Sequence, residues 1–228
     1  MIRYFAAVLL ALLPALPAHA GALQDAVLAH AKAQGDVQMA FTRTTTFESV
    51  DKKGERERKV FIDRYDPAKP AKSRWQLVSI DGQSPTAKEL KTAAKRYEKE
   101  EVPSYARLTR WVGQPASEGA NELRFDSFAK DTFQGSPVDL SGKLSGVATI
   151  SRDGGKPWVS ETRFRLKEPT RIMLVAKLDD MRTQSRFRRM PDGTPVLDSQ
   201  TVTMTGSMMG KSGTQKTVTT YSDYRRIG

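Results

Sequence analysis

Apolar and polar positions alternate along residues 37–47. Val37, Met39, Phe41 and Phe47 share one parity, and Gln38, Thr42, Thr44 and Thr46 take the other. Period two predicts a long strand with one apolar and one wet face. Asp51-Lys52-Lys53-Gly54 supplies a turn, and 59–65 reads as the returning strand, followed by a proline-punctuated loop at 66–70. A third strand, 73–80, ends at Asp81-Gly82. Before these strands, 22–33 carries Leu23, Ala26, Val27 and His30 at helical spacing and stops at Gly35, which predicts a short amphipathic helix.

The period changes again at Ser84-Pro85, which reads as the opening of a helix. Leu90, Ala93, Ala94 and Tyr97 fall at i, i+3, i+4 and i+7, with Thr86 and Glu89 spaced as a capping box. Lys88, Lys91, Lys95, Arg96 and Lys99 make much of the remaining surface of this helix basic. A second helical stretch from Pro103-Ser104 carries Tyr105, Leu108, Trp111 and Val112. The rest of the chain predicts strands at 122–128, 143–151, 157–166, 171–177, 181–190, 196–207 and 214–224. Asp153-Gly154-Gly155 and Asp192-Gly193 are hairpin turns whose residues tolerate positive φ. Ten strands and three helical segments describe a mainly β, α+β domain, 21–228, built on a large curved antiparallel sheet with helices inserted after the third strand.

Residues 1–20 read as a cleaved signal peptide. Arg3 gives the positive start, 5–13 the apolar core, and Ala18-His19-Ala20 the small-residue cleavage site. A periplasmic protein beginning at Gly21 is expected; an uncleaved leader acting as an anchor and an outer-membrane β-barrel are the competing readings. The chain has no cysteine, which removes a lipid-anchor cysteine after the cleavage site and any disulfide. Its net charge of +11 favours anionic partners, such as a membrane surface or an acidic envelope partner. With 38% apolar and 28% charged residues the composition is that of a globular domain.

Catalytic chemistry is sparse. His30 is the one histidine after the leader, and no nucleophile elbow, phosphate loop, calcium loop or Cys/His zinc set is present. Ser49 with Lys52 and Ser127 with Lys130 match a Ser-x-x-Lys spacing in strand or turn contexts, and Glu100-Glu101 and Asp179-Asp180 read as solvated loop pairs. No enzyme, cofactor or metal is expected. The better lead is the apolar strand face, where Met39, Phe41, Trp75, Leu77, Trp158, Phe164, Val202, Met204 and Met208 are candidate lining residues of a ligand groove, ordinary core packing being the alternative. Arg43 continues the face of Met39 and Phe41 and is grouped with them as a ligand-binding candidate. A buried guanidinium there needs an anionic or carbonyl partner, either a lidding helix or a headgroup; the other reading puts it at a bend, reaching solvent. Arg163, Arg165, Lys167, Arg171, Lys177, Arg182, Arg186, Arg188 and Arg189 form a second basic cluster, without the interleaved aromatics that nucleic-acid binding needs.

The order of elements resembles the periplasmic lipoprotein-carrier and outer-membrane lipoprotein-sorting family. Its local echoes are Trp75-Gln76-Leu77-Val78-Ser79-Ile80-Asp81-Gly82 leading into the helix, and the Asp192-Gly193 hairpin. The resemblance implies an unclosed β-barrel with helices as a lid over an apolar cavity that takes acyl chains. The reading that follows is a soluble periplasmic carrier for a lipid or acylated protein. A cell-envelope interaction protein with a filled core and basic outer face is the alternative, and a periplasmic hydrolase the third.

Overall fold

The computed structural model describes residues 21–35, 37–133, 139–153, 155–173, 176–209 and 211–227, apart from the side chains of Met173 and Met208. The leader and the Met208 side chain therefore lie outside the described residues. Among the described residues three helices, α1 (Ala22–Gln34), α2 (Ala87–Tyr97) and α3 (Thr109–Val112), accompany eleven strands: β1 (Met39–Asp51), β2 (Arg56–Tyr65), β3 (Trp75–Ile80), β4 (Ser117–Glu118), β5 (Glu122–Phe125), β6 (Leu144–Ser151), β7 (Trp158–Leu166), β8 (Thr170–Met173), β9 (Ala176–Arg189), β10 (Pro195–Met208) and β11 (Lys211–Arg226). All join one antiparallel sheet in the order β3-β2-β1-β11-β10-β9-β7-β6-β5-β4, with β8 on β9. The path ends on β3 and β4, which do not pair, so the mainly β fold is an unclosed barrel.

Alternation sets which residues face inward. One cross-strand row runs Phe47, Thr217, Val202, Thr183, Phe164 and Gly146 from β1 to β6. At the β4–β9 end, α1 and α3 cover this face. Leu23, Val27 and Ala31 of α1 and Trp111 and Val112 of α3 join Leu123, Phe125, Ala148 and Val159 in one buried core. Gly146 leaves room for that core, since a Cβ there would sit 2.7 Å from Phe128 Cζ and 2.8 Å from Phe164 Cδ1.

Several boundaries differ from the sequence reading. β1 runs to Asp51 and β2 starts at Arg56, because the hairpin register continues to Val50 opposite Arg56. Ser73 closes a 3-10 turn instead of opening β3, the strand after α3 stops at Phe125, and the two-residue β4 went unforeseen. The strands expected at 171–177 and 181–190 are instead β8 and the long β9, which runs through Asp179-Asp180. These carboxylates therefore lie in a strand, at a break in register where Thr205 faces Asp180 and Gly206 faces Leu178. An extra residue there switches the inward parity, so Leu178 and Ser185 are both buried. The bulge presses Lys177 against β10: a Cβ on Gly206 would stand 2.3 Å from the Lys177 carbonyl oxygen.

Gly206→Ala is expected to destabilise the fold by about 1–3 kcal/mol through this backbone overlap. Gly142→Ala, where a Cβ meets nothing within 4 Å, should stay within roughly 0.5 kcal/mol of wild type; urea denaturation compares the two.

Candidate functional site

At the opposite end of the inner face, β1 to β3, the helix that packs on the sheet is α2. The chain enters α2 through Asp81 and Gly82, both at positive φ, and the helix is capped at Thr86 and begins at Ala87. Thr86 Oγ1 accepts a hydrogen bond from the Glu89 backbone N–H, and Glu89 Oε2 accepts one from the Thr86 N–H at 2.8 Å. The expected capping box is therefore formed. Yet of Leu90, Ala93, Ala94 and Tyr97 only Ala93 is buried, and Leu90 is 46% exposed. α2 touches the sheet through Ala93 and the half-buried Tyr97 ring, and burial of aliphatic side chains contributes little to holding it there.

Polar contacts hold it instead. Arg43 lies directly opposite Asp63 in the β1–β2 register. Its Nε and Nη2 donate to Asp63 Oδ2 at 3.1 and 2.9 Å, and its Nη1 to Glu100 Oε1 at 2.5 Å. Asp63 Oδ1 accepts from Arg96 Nη2 at 3.0 Å and from the Tyr97 hydroxyl. The Arg43 and Asp63 side chains are 8% and 1% exposed, so the guanidinium meets two carboxylates of its own chain inside the fold. Burial disfavours its charge, but Glu100 and Asp63 more than offset this and raise its proton affinity above the ordinary value. Burial pushes the Tyr221 hydroxyl, opposite Arg43 on β11, up to about 12. Tyr97 is raised by burial and by its hydrogen bond to Asp63.

Aromatic rings form the floor around this ionic group. Arg43 sits 4.3 Å above the Trp75 ring, Trp75 stacks on Tyr97 at 5.5 Å, and Phe41 packs on Tyr65 at 5.2 Å and on Tyr224 at 5.5 Å. On either side of the Ala93 contact the helix leaves a cleft. One, of about 740 Å³, is lined by Trp75, Leu77, Leu90, Ala94 and Tyr97, with Lys72 and Glu98. The other, of about 370 Å³, is lined by Phe61, Leu77, Ile80 and Thr92, with Lys59, Lys88 and Arg96. Leu77 and Ala93 line both.

The nine ligand-binding candidates do not share one cavity. Phe41, Arg43, Trp75 and Leu77 gather beneath α2. Met39 is buried beside a pocket of about 30 Å³ that also touches Gln34 and Tyr224. Phe164 packs on Trp111, Phe128 and Phe133 in the filled core. Trp158 is buried at the far end, its Nε1–H donating to Asp153 Oδ1 at 2.7 Å, with Arg189 over its ring. Val202 and Met204 lie half-buried midway along β10, Met204 against the filled core. Sequence reasoning missed Asp63 and Glu100 as partners of Arg43, and Arg96 and Tyr97 as partners of Asp63. Asp63 alone had a signal: it shares the parity of Phe61 and Tyr65, a carboxylate on an apolar face.

His30 belongs to α1, its Nδ1 lying 3.0 Å from the Pro157 carbonyl. Ser49 lies near the hairpin end of β1 and Ser127 in the exposed loop after β5; among the described residues none of the three hydrogen-bonds another. Many cations of the C-terminal strands are paired on the outer face. Glu161 meets Arg163 and Arg186, Asp180 meets Arg182, and Asp198 meets Arg188. Among the described residues no helix is long and apolar enough to cross a membrane.

The sequence matches no family model and no curated protein. Among solved structures it is similar to a DUF1329 family protein from Desulfovibrio piger, at 12% identity and a TM-score of 0.36, over 91% of this chain and 92% of that one. It is also similar to a LolA superfamily protein from Nitrosomonas europaea, at 11% identity and a TM-score of 0.33, over 90% of this chain and 94% of that one.

Arg43→Met should destabilise the protein by about 3–5 kcal/mol, because it strands buried Asp63 among fewer donors. Arg43→Lys should recover only part of this, since an ammonium cannot reproduce the two-nitrogen contact with Asp63. Urea denaturation of both variants provides the measurement.

Proposed function

We propose that the chain is a non-catalytic periplasmic carrier, soluble after loss of residues 1–20, that takes the acyl chain of a lipid or an acylated protein beneath α2. The observation that carries this reading is the way α2 is held: over an aromatic floor, with a cleft on each side, by ion pairs and the Tyr97 ring in place of buried aliphatic side chains. The larger cleft has the volume of a small-molecule site, and each methylene it takes from water contributes about 0.8 kcal/mol.

The geometry also makes opening reversible. Arg43 and Asp63 stand on adjacent strands and remain paired when α2 lifts. The contacts given up are those to Glu100 and Arg96, whose side chains are 27% and 41% exposed and rehydrate readily, together with the Tyr97 hydrogen bond to Asp63 and its stack on Trp75. No buried charge is left alone, so the cost of opening stays within reach of acyl-chain burial.

A cell-envelope interaction protein is the second reading, favoured by the filled aromatic core under α1 and α3. Binding of a fluorescent fatty-acyl probe, with native mass spectrometry of the protein purified from periplasm, separates the two. The carrier reading expects bound acyl species and saturable uptake of the probe. Leu90→Glu, at an exposed cleft-lining position, should weaken uptake roughly tenfold or more without lowering the melting temperature. A wild-type protein that holds no acyl species and takes up no probe overturns the carrier reading in favour of the interaction protein.

A further inference from the structure

The outward face of α2 is dominated by cations, with Glu98 at its C-terminal end the acid beside them. Lys88, Lys91 and Lys95 fall at i, i+3 and i+7, which at about 100° per residue keeps them within a quarter-turn of one another, and Lys99 follows in the closing turn. All four are exposed, and among the described residues none takes part in an ion pair. The acids of the same segment are used elsewhere: Glu89 in the capping box, Glu98 along the larger cleft, and Glu100 on Arg43. Like charges at these spacings weaken an isolated helix. The stripe is therefore not explained by the stability of α2.

Two further features place the stripe beside the clefts. Lys72 lines the larger, and Lys59, Lys88 and Arg96 line the smaller, so cations border both clefts. Leu90, one of only two large apolar side chains exposed among the described residues, projects at the edge of the larger cleft, one residue from Lys91. The outer face of the sheet differs: its arginines are interleaved with Glu161, Asp180 and Asp198.

Resting on the carrier reading, we propose that the outer face of α2 is a docking surface for an anionic lipid bilayer, so that the lid meets the membrane where an acyl chain enters or leaves. Lysine ammoniums engage phosphate headgroups while their stems lie along the boundary. Leu90 reaches the apolar side of that boundary, and the clefts open beside it. An acidic protein partner would satisfy the lysines but gives Leu90 no role.

The test is flotation of the full chain with vesicles of phosphatidylglycerol and phosphatidylcholine, against vesicles of phosphatidylcholine alone. Wild type is expected to float with the anionic vesicles at low salt, to lose most of that binding at high salt, and to ignore the neutral vesicles. Lys91→Gln, Lys95→Gln and Lys99→Gln combined, none of them lining a cleft, should weaken anionic binding roughly a hundredfold, at about 1 kcal/mol per lysine. Arg165→Gln with Lys216→Gln, on the outer sheet face, should leave binding unchanged. Probe uptake in vesicle-free buffer separates this proposal from the carrier reading, because the lysine variant should retain it, and that retention also shows that the variant is folded. Failure of wild type to bind anionic vesicles, or equal binding by the lysine variant, overturns the docking surface while leaving probe uptake to decide the carrier reading.

Discussion

The buried pair of Arg43 and Asp63 is the interaction on which the β1–β3 half of the molecule depends. An arginine on the inner face of a strand is unfavourable unless its charge is met at once. Here the register does so, placing the carboxylate opposite on the adjacent strand. The pair then leaves one guanidinium nitrogen and one carboxylate oxygen to be satisfied. Glu100 takes the first and Arg96 with Tyr97 the second, all from α2 or the turns after it. The position of α2 follows from completing this ionic group.

That constraint divides the fold. Under α1 and α3 the inner face is filled by large side chains, and Gly146 allows Phe128 and Phe164 to close on the sheet. Under α2 the helix offers Ala93 to the sheet and leaves Leu90 at the surface, so space remains on both sides. Between the two halves runs a strip of β-branched and polar residues, including Thr183, Val202, Thr217 and Thr219. One continuous sheet thus carries a packed core at one end and a hollow, ionically fastened site at the other.

The sequence makes the first kind of order easier to read than the second. Period-two alternation identified most strands, and the Thr86/Glu89 spacing marked the capping box of α2, although the helix begins at Ala87 and not at Ser84-Pro85. The break between β8 and β9 was misplaced because a bulge changes parity at Asp179-Asp180, which local pattern reads as an interruption. Arg43 stood out as a cation on an apolar face, but its partners did not. Glu100, and the Arg96 that meets Asp63, lie in or just after a basic helix, 57 and 53 residues from Arg43, and nothing local says that they fold back over β1. Trp158 and Phe164 were grouped with Phe41 and Trp75 because all are aromatic on inner faces. Only the strand order shows that β7 lies at the other end of the sheet from β3.

How α2 is fastened can be measured directly by native-state amide hydrogen exchange, comparing α2 with α1 in the same molecule. A helix held by ion pairs over open clefts is expected to exchange through local opening, well before the amides of α1, which are tied to the filled core. Exchange of α2 in step with α1, at the free energy of global unfolding, would contradict the view of α2 as a lid.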